Sequence, residues 1–347
     1  MKSGFCFDLG VKVATERIAI DFDSLYTNIY KSGSGMALSE PTVAAVGVGD
    51  KTEIKAVGIE ARKLIGKTAG NTKVVFPVFE GEIVNETVAA KLLEKFLAKI
   101  GITSKLTNVH AVMSVPCGAT PESLKKYESV AKSAGVNKVY FVETPILSAL
   151  GQRLPLSDSS PCFLIDMEGG TTSIAALSLD GIIAGVSINI GGNKISTDII
   201  DHVAEEYGLQ IGLLTAERLK KEIGSLDDRD ALATIVNGRD IKTGTPKSVS
   251  LRALDILTPV RKYFDKIAEL AMAVMVKLPP EVSAEIRHSG IYISGAPAGL
   301  YGLDKYYSEK FKMQINIAEN PDMVVALGGG TVVASGELLK KLAIQTD

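Results

Sequence analysis

The chain has 347 residues, of which 46% are hydrophobic, enough for two medium domains around a sizeable core and too apolar for a disordered chain. Lys plus Arg total 38 against 40 Asp plus Glu, a net charge of −2, and no dense basic cluster breaks that balance, so a nucleic-acid partner is not expected. Cys6, Cys117 and Cys162 are widely separated and odd in number, matching neither a disulfide framework nor a zinc spacing, which points to a reducing cytoplasm.

No stretch reaches the roughly 18–20 apolar residues that span a bilayer. The longest candidate, Ile267 to Leu278, is broken by Glu269 and Lys277 and stopped by Pro279 and Pro280. At the N-terminus Phe5, Phe7, Leu9, Val11 and Val13 alternate with other residues. That is strand period rather than the helix period of a membrane-surface anchor, and it predicts an edge strand running on into Ile18.

The first unit is Ile18 to Tyr30 (IAIDFDSLYTNIY): an apolar strand ending in Asp, an acidic turn, then a second strand. Val109 to Val115 reads as a buried strand ended by Pro116. Thr120 then caps a predicted helix over Pro121 to Ala134, with Glu122 in its first turn. Val139 to Val142 is the next strand, and a helix begins by Ile146. Phe163 to Leu179 (FLIDMEGGTTSIAALSL) repeats the strand–Asp–turn–strand plan of the first unit, which predicts two similar α/β lobes. Asp180-Gly181 is a hairpin signal between Ser173 to Leu179 and Ile182 to Ile190. Helices are expected over Thr215 to Ile223 and Arg252 to Leu278, and a strand over Gly290 to Ser294. Pro321 to Ala326 leads into Gly328, Gly329 and Gly330. Cys117 and Cys162 read as packing residues of apolar strands, and the three histidines are too scattered to ligate a metal.

Eight separated blocks together resemble the actin/Hsp70/sugar-kinase superfamily, and in detail the MreB-type bacterial actins. They are IDFDSLYTNIY at Ile20, LSEPTVAAV at Leu38, SVPCGATPESLKK at Ser114 and VETPILSALG at Val142. They continue with DMEGGTTSIAALSLDGIIAGVSINIGGNKI at Asp166, TAERLKKEIGS at Thr215, ISGAPAGLYGLDKYY at Ile293 and NPDMVVALGGG at Asn320. Each glycine motif alone is weak, but the blocks run in family order over nearly the whole chain. The resemblance implies an actin-like ATPase fold, with two ribonuclease-H-like lobes flanked by helices and carrying smaller subdomains. The first lobe is expected over 1–145 with a subdomain near 33–74, and the second over 146–314 with one near 193–250. The segment near 315–347 is expected to return to the first lobe.

The resemblance also implies a cleft for ATP and Mg²⁺ between two phosphate hairpins, where glycines let backbone N–H groups approach the phosphates. The matching residues are Asp21, Asp23 and Ser24 in the first hairpin, and Asp166, Glu168, Gly169, Gly170 and Thr171 in the second. Gly191, Gly192, Glu217, Lys220, Gly295 and Ala296 match the ribose and adenine side. Asp21 and Asp166 match the acids of the metal shell.

Several positions depart from the family. Its loop glycines, two residues after each Asp, are Asp23 and Glu168 here, and its water-positioning Glu is Thr144. Ala296-Pro297 stands where the family has glycines and removes one N–H. A carboxylate about 5 Å from one phosphate charge costs roughly 3 kcal/mol at an effective dielectric of 20. Micromolar affinity is worth only about 8 kcal/mol, so two such groups predict weak or absent ATP turnover. The bland alternative turns both acids to solvent and leaves ATP free to bind. If instead Asp21, Asp23, Asp166 and Glu168 converge, they must carry raised pKa values or bind a divalent cation directly. Lys220 and Lys221 read equally as a solvated helix face.

The functions left open are a cell-shape filament or scaffold with little turnover, a working filament ATPase, and a pseudo-actin that copolymerises with MreB-like subunits. Cytoplasmic placement, with peripheral contact at the inner membrane face, accompanies all three. A chaperone or sugar kinase fits poorly, because the residues that would build a substrate domain or sugar pocket are not found.

Overall fold

A computed structural model of the chain describes residues 15–49, 52–103 and 107–345. The alternating stretch from Phe5 to Val13 lies outside them. The first unit folds as β1 (Thr15–Phe22), β2 (Tyr26–Lys31) and β3 (Gly35–Pro41). A small three-stranded sheet follows, from β4 (Ala44–Gly47), β5 (Ile54–Val57) and β6 (Thr72–Val75), with α1 (Gly58–Arg62) beside it. A short hairpin, β7 (Val78–Phe79) and β8 (Glu82–Ile83), leads to α2 (Glu86–Lys99), which Asn85 caps by accepting the Val88 N–H. Next come β9 (Asn108–Val115), α3 (Pro121–Ser133), β10 (Lys138–Glu143) and α4 (Thr144–Gly151). Thr120 caps α3 through the Ser123 N–H, and Pro121 occupies the first turn, where no N–H is needed.

The second half opens with β11 (Cys162–Met167), β12 (Thr172–Ser178) and β13 (Gly181–Ile188), then α5 (Gly192–Tyr207). A second three-stranded sheet holds β14 (Leu209–Gln210), β15 (Ala233–Asp240) and β16 (Pro246–Arg252), with α6 (Leu213–Ile223) between its first two strands in sequence. The chain continues through α7 (Ala253–Met275), α8 (Pro280–Ser289), β17 (Ile291–Ser294), α9 (Leu303–Phe311) and β18 (Ile315–Ile317). It closes with α10 (Val324–Ala334) and α11 (Gly336–Leu342).

The two five-stranded sheets have one topology. The first runs β10-β9-β1-β2-β3 and the second β18-β17-β11-β12-β13. In each, a hairpin meander is antiparallel and the remaining two strands run parallel to its first strand. Strands β11 and β12 are buried along nearly their whole length, as strands covered on both faces must be. The helices α4 and α10 sit between the sheets, joining Ala19 and Val112 of the first to Leu164 and Ala175 of the second in one apolar cluster.

Three expectations are corrected, and the glycine run 328–330 is placed inside α10, where it serves close packing against α4 and the first sheet. A Cβ on Gly328 would overlap the Leu147 carbonyl, one on Gly329 the Ala19 Cβ, and one on Gly330 the Tyr30 ring. Segment 315–317 stays with the second sheet, because β18 pairs in parallel with β17; the return to the first sheet begins with α10. The two-residue turn falls at Leu179-Asp180, both at positive φ (50° and 60°), one residue earlier than the Asp-Gly signal. Cys117 lies in the turn after Pro116, half-buried, rather than in a strand.

Candidate functional site

Strands β1 and β11 end at the middle of the molecule, and their hairpin turns face each other. Register places Asp21 opposite Asn28 and Asp166 opposite Ser294. Asp21 accordingly accepts from Asn28 Nδ2 (3.3 Å) and from the Ser114 hydroxyl of β9 (2.9 Å). Asp166 accepts from the Ser294 hydroxyl, and its second oxygen is buried without a partner.

Asp23 points neither to solvent nor at an open phosphate chamber. Its carboxylate reaches across to the opposite turn and accepts from Gly169 N (2.8 Å) and Gly170 N (3.3 Å), while also accepting from Leu25 N in its own turn (3.0 Å). The two turns touch. A Cβ on Gly169 would overlap Leu25, and one on Gly170 would overlap Ser24. Ser24 is buried and accepts from Gly81 N (3.4 Å). Glu168 stays on its own side, accepting from the Thr171 hydroxyl (2.8 Å), with its other oxygen orphaned.

The four carboxylates line one small chamber, and their titration follows from burial. Desolvation pushes Asp21 up to about 7, with the Asp23 charge adding. Asp166 is likewise pushed to about 7 by burial, the Ser294 hydroxyl opposing. Burial and then the charges of Asp21, Asp23 and Asp166 hold Glu168 well above the carboxylate range. Burial raises Asp23 too, but four backbone N–H groups pull it down, so Asp23 is the member that the geometry favours as the anion. Among the described residues no group of three or more His, Cys, Asp or Glu is placed to hold a metal ion.

Thr144, at the head of α4, is buried, with its hydroxyl on the Val115 carbonyl (3.1 Å) and near Ser173 Oγ (3.3 Å). The neighbouring Glu143 turns away and accepts from Gly118 N (2.7 Å). The first residue of that helix therefore carries a hydroxyl and no carboxylate.

On the far side of Leu25 and Tyr26 lies a chamber of about 740 Å³, lined by Ile195, Lys220, Pro297, Leu300, Tyr301 and Asp322 among others. The acidic chamber beside it, which holds Asp21, Asp23, Asp166 and Glu168, measures only about 30 Å³. Glu217, Gly192 and Ala296 line the large chamber, while Gly295 and Gly169 border the small one. Gly191 packs on the backbone of the second turn, where a Cβ would overlap Gly169. The start of α5 is tied down in the same way, Gly192 N and Asn193 N donating to the carbonyls of Glu168 and Gly169 (2.8 and 2.9 Å). Lys220 donates to Gly192 O (2.8 Å) and Ser196 Oγ (3.0 Å), and burial lowers it to about 8. Glu217 is engaged by Arg62 of α1, which also donates to Tyr26 Oη (3.2 Å).

Sequence reasoning missed Arg62, Asn28, Ser114 and Ser294. The two serines stand inside motif blocks, and their register beside Asp21 and Asp166 was the available signal. Arg62 carried none.

A Mg²⁺–polyphosphate does not fit these residues as they stand. The Gly169 and Gly170 amides already donate to a carboxylate, the turns are in contact, and about 30 Å³ is room for about two waters.

Two lobes with the same strand order, a hairpin turn from each and a cleft between them define the actin-like fold. MreB5 of Spiroplasma citri, in a structure bound to ADP, superposes with a TM-score of 0.87 at 29% identity over 94% of this chain and 98% of that one. The MreB/Mbl protein family model matches residues 15–341, and the chain belongs to that family. It is 33% identical to the cell shape-determining protein MreB of Escherichia coli strain K12, over 90% of this chain and 92% of that protein. It is 31% identical to the cell shape-determining protein Mbl of Bacillus subtilis strain 168, over 93% and 97%. A MamK double helical filament shares the fold, with a TM-score of 0.76 at 16% identity over 92% of this chain and 99% of that one. Among the described residues no helix is long and apolar enough to cross a membrane.

Proposed function

We propose that this chain is a cell-shape scaffold that self-associates into filaments, around a nucleotide-type cleft that does not turn over ATP. One observation carries the second half of the reading: the two hairpin turns meet face to face at Gly169 with Leu25 and at Gly170 with Ser24. Phosphates held between such turns would need the space that these residues fill. Thr144 supports the same reading, since a buried hydroxyl bonded to a carbonyl is no general base at neutral pH. Membership of the MreB/Mbl family and likeness to cell shape-determining relatives support the first half.

The test is pelleting and negative-stain microscopy of the purified chain, with and without Mg²⁺-ATP, alongside phosphate release. The expected result is nucleotide-independent filaments and no release above background. Filaments that form only with ATP and release phosphate would overturn the reading.

A further inference from the structure

The Asp23 carboxylate does what a ligand phosphate would do. It is a carboxylate held by successive backbone N–H groups of a glycine turn, the arrangement that forms an anion-binding concavity. Its contacts include Gly169 N at 2.8 Å, Gly170 N at 3.3 Å and Leu25 N at 3.0 Å. The donors come from both turns, so one side chain bridges the cleft. We propose that Asp23 is an intramolecular stand-in for a phosphate group, and that the cleft therefore selects a nucleoside, bare or singly phosphorylated, over its polyphosphates. This rests on the reading of the cleft as nucleotide-type.

Three further observations fit. The chamber of about 740 Å³ remains open beside the stand-in and lies within the ligand-sized range. Its walls join apolar side chains, among them Ile195, Pro297 and Leu300, to polar ones at Lys220 and Glu217, a lining suited to a flat heteroaromatic base with a sugar. Leu25, Tyr26, Ala296, Pro321 and Asp322 border both chambers and so form the boundary with the phosphate side. Beyond it stand Asp21, Asp166 and Glu168, each with its own hydrogen bond and with two orphaned oxygens between Asp166 and Glu168. A second or third phosphate would have to displace Asp23 and meet those acids. A bare nucleoside would meet neither.

The experiment is titration calorimetry of the full chain with adenosine, AMP, ADP and Mg²⁺-ATP, on wild type, Asp23→Gly and Asp23→Asn, with phosphate release followed on the same samples. Wild type should bind adenosine or AMP at least tenfold tighter than ATP. Asp23→Gly should bring ATP to within about threefold of AMP. Asp23→Asn, equal in size and uncharged, should also lower the ATP penalty, so the proposal stays readable if the glycine variant fails to fold. Wild-type binding of ATP as tight as that of adenosine overturns the stand-in, and so does failure of adenosine and AMP to bind at millimolar concentration. Neither result touches the non-hydrolysing scaffold, which only ATP-dependent phosphate release would remove.

Discussion

Asp23 and Glu168 occupy equivalent places in two copies of one hairpin, yet their charges are handled differently. Asp23 is short enough to turn back along its own loop and across to the next, collecting N–H donors at each step. Glu168 finds a single hydroxyl. The cluster as a whole is therefore proton-linked. Asp21 and Asp166 release protons near 3.8 in the unfolded chain and near 7 when folded. Between those values the folded state holds more protons, so these groups contribute stability that is fully present below about 4 and is lost as pH rises through about 7. The melting temperature should fall between about pH 5 and pH 8, and Asp166→Asn should flatten that slope. A melting temperature that rises over this range in wild type would contradict the assignment.

Thr144 makes a second test at the same scale. Restoring an acid with Thr144→Glu places a carboxylate where the side chain is 1% exposed, beside a chamber of about 10 Å³. Burying it unpaired and overfilling the site should cost about 1–3 kcal/mol or more. Urea denaturation should show that loss and phosphate release should stay at background. Release restored by this one change would mean that the closed turns are no barrier.

At the scale of elements, the helix pair α4 and α10 is the spine on which both sheets hang, and glycines set its spacing. Gly329→Val should destabilise by about 1–3 kcal/mol by overpacking against Ala19. Gly336→Ala, with open space around its Cα, should change stability by no more than about 0.5 kcal/mol. The two urea midpoints check the contrast. Much of this architecture was legible in the sequence, because Ile18 to Tyr30 and Phe163 to Leu179 carry apolar alternation and turn residues that act locally. Thr120 and Pro121 marked the start of α3 for the same reason. The site was legible in membership only. That Asp21, Asp23, Asp166 and Glu168 meet follows from the repeat, but the direction of the Asp23 side chain depends on how closely two turns from distant segments approach.

At the scale of the whole molecule, the contacts that cross between the lobes include two made by charged side chains. Asp23 clasps them at the floor of the cleft, and Arg62 with Glu217 joins them nearer the mouth. The mouth pair has side chains 29% and 10% exposed, and such a partly solvated pair contributes about 1 kcal/mol or less. Arg62→Ala alone should leave the radius of gyration unchanged in solution scattering. Combining it with Asp23→Gly should expand the particle and raise amide exchange at Gly169 and Gly170. An unchanged exchange rate in the double variant would show that the spine alone sets the closure.

The boundary between the two chambers at Leu25 and Tyr26 has a pharmacological consequence. Inhibitors aimed at nucleotide clefts ordinarily lose potency inside cells, because they compete with a large standing pool of triphosphate. On the proposed selectivity a compound shaped to the roomy chamber of this protein would meet ATP only as a weak competitor, so its dose–response curve should shift little between a nucleotide-free assay and one supplemented with ATP.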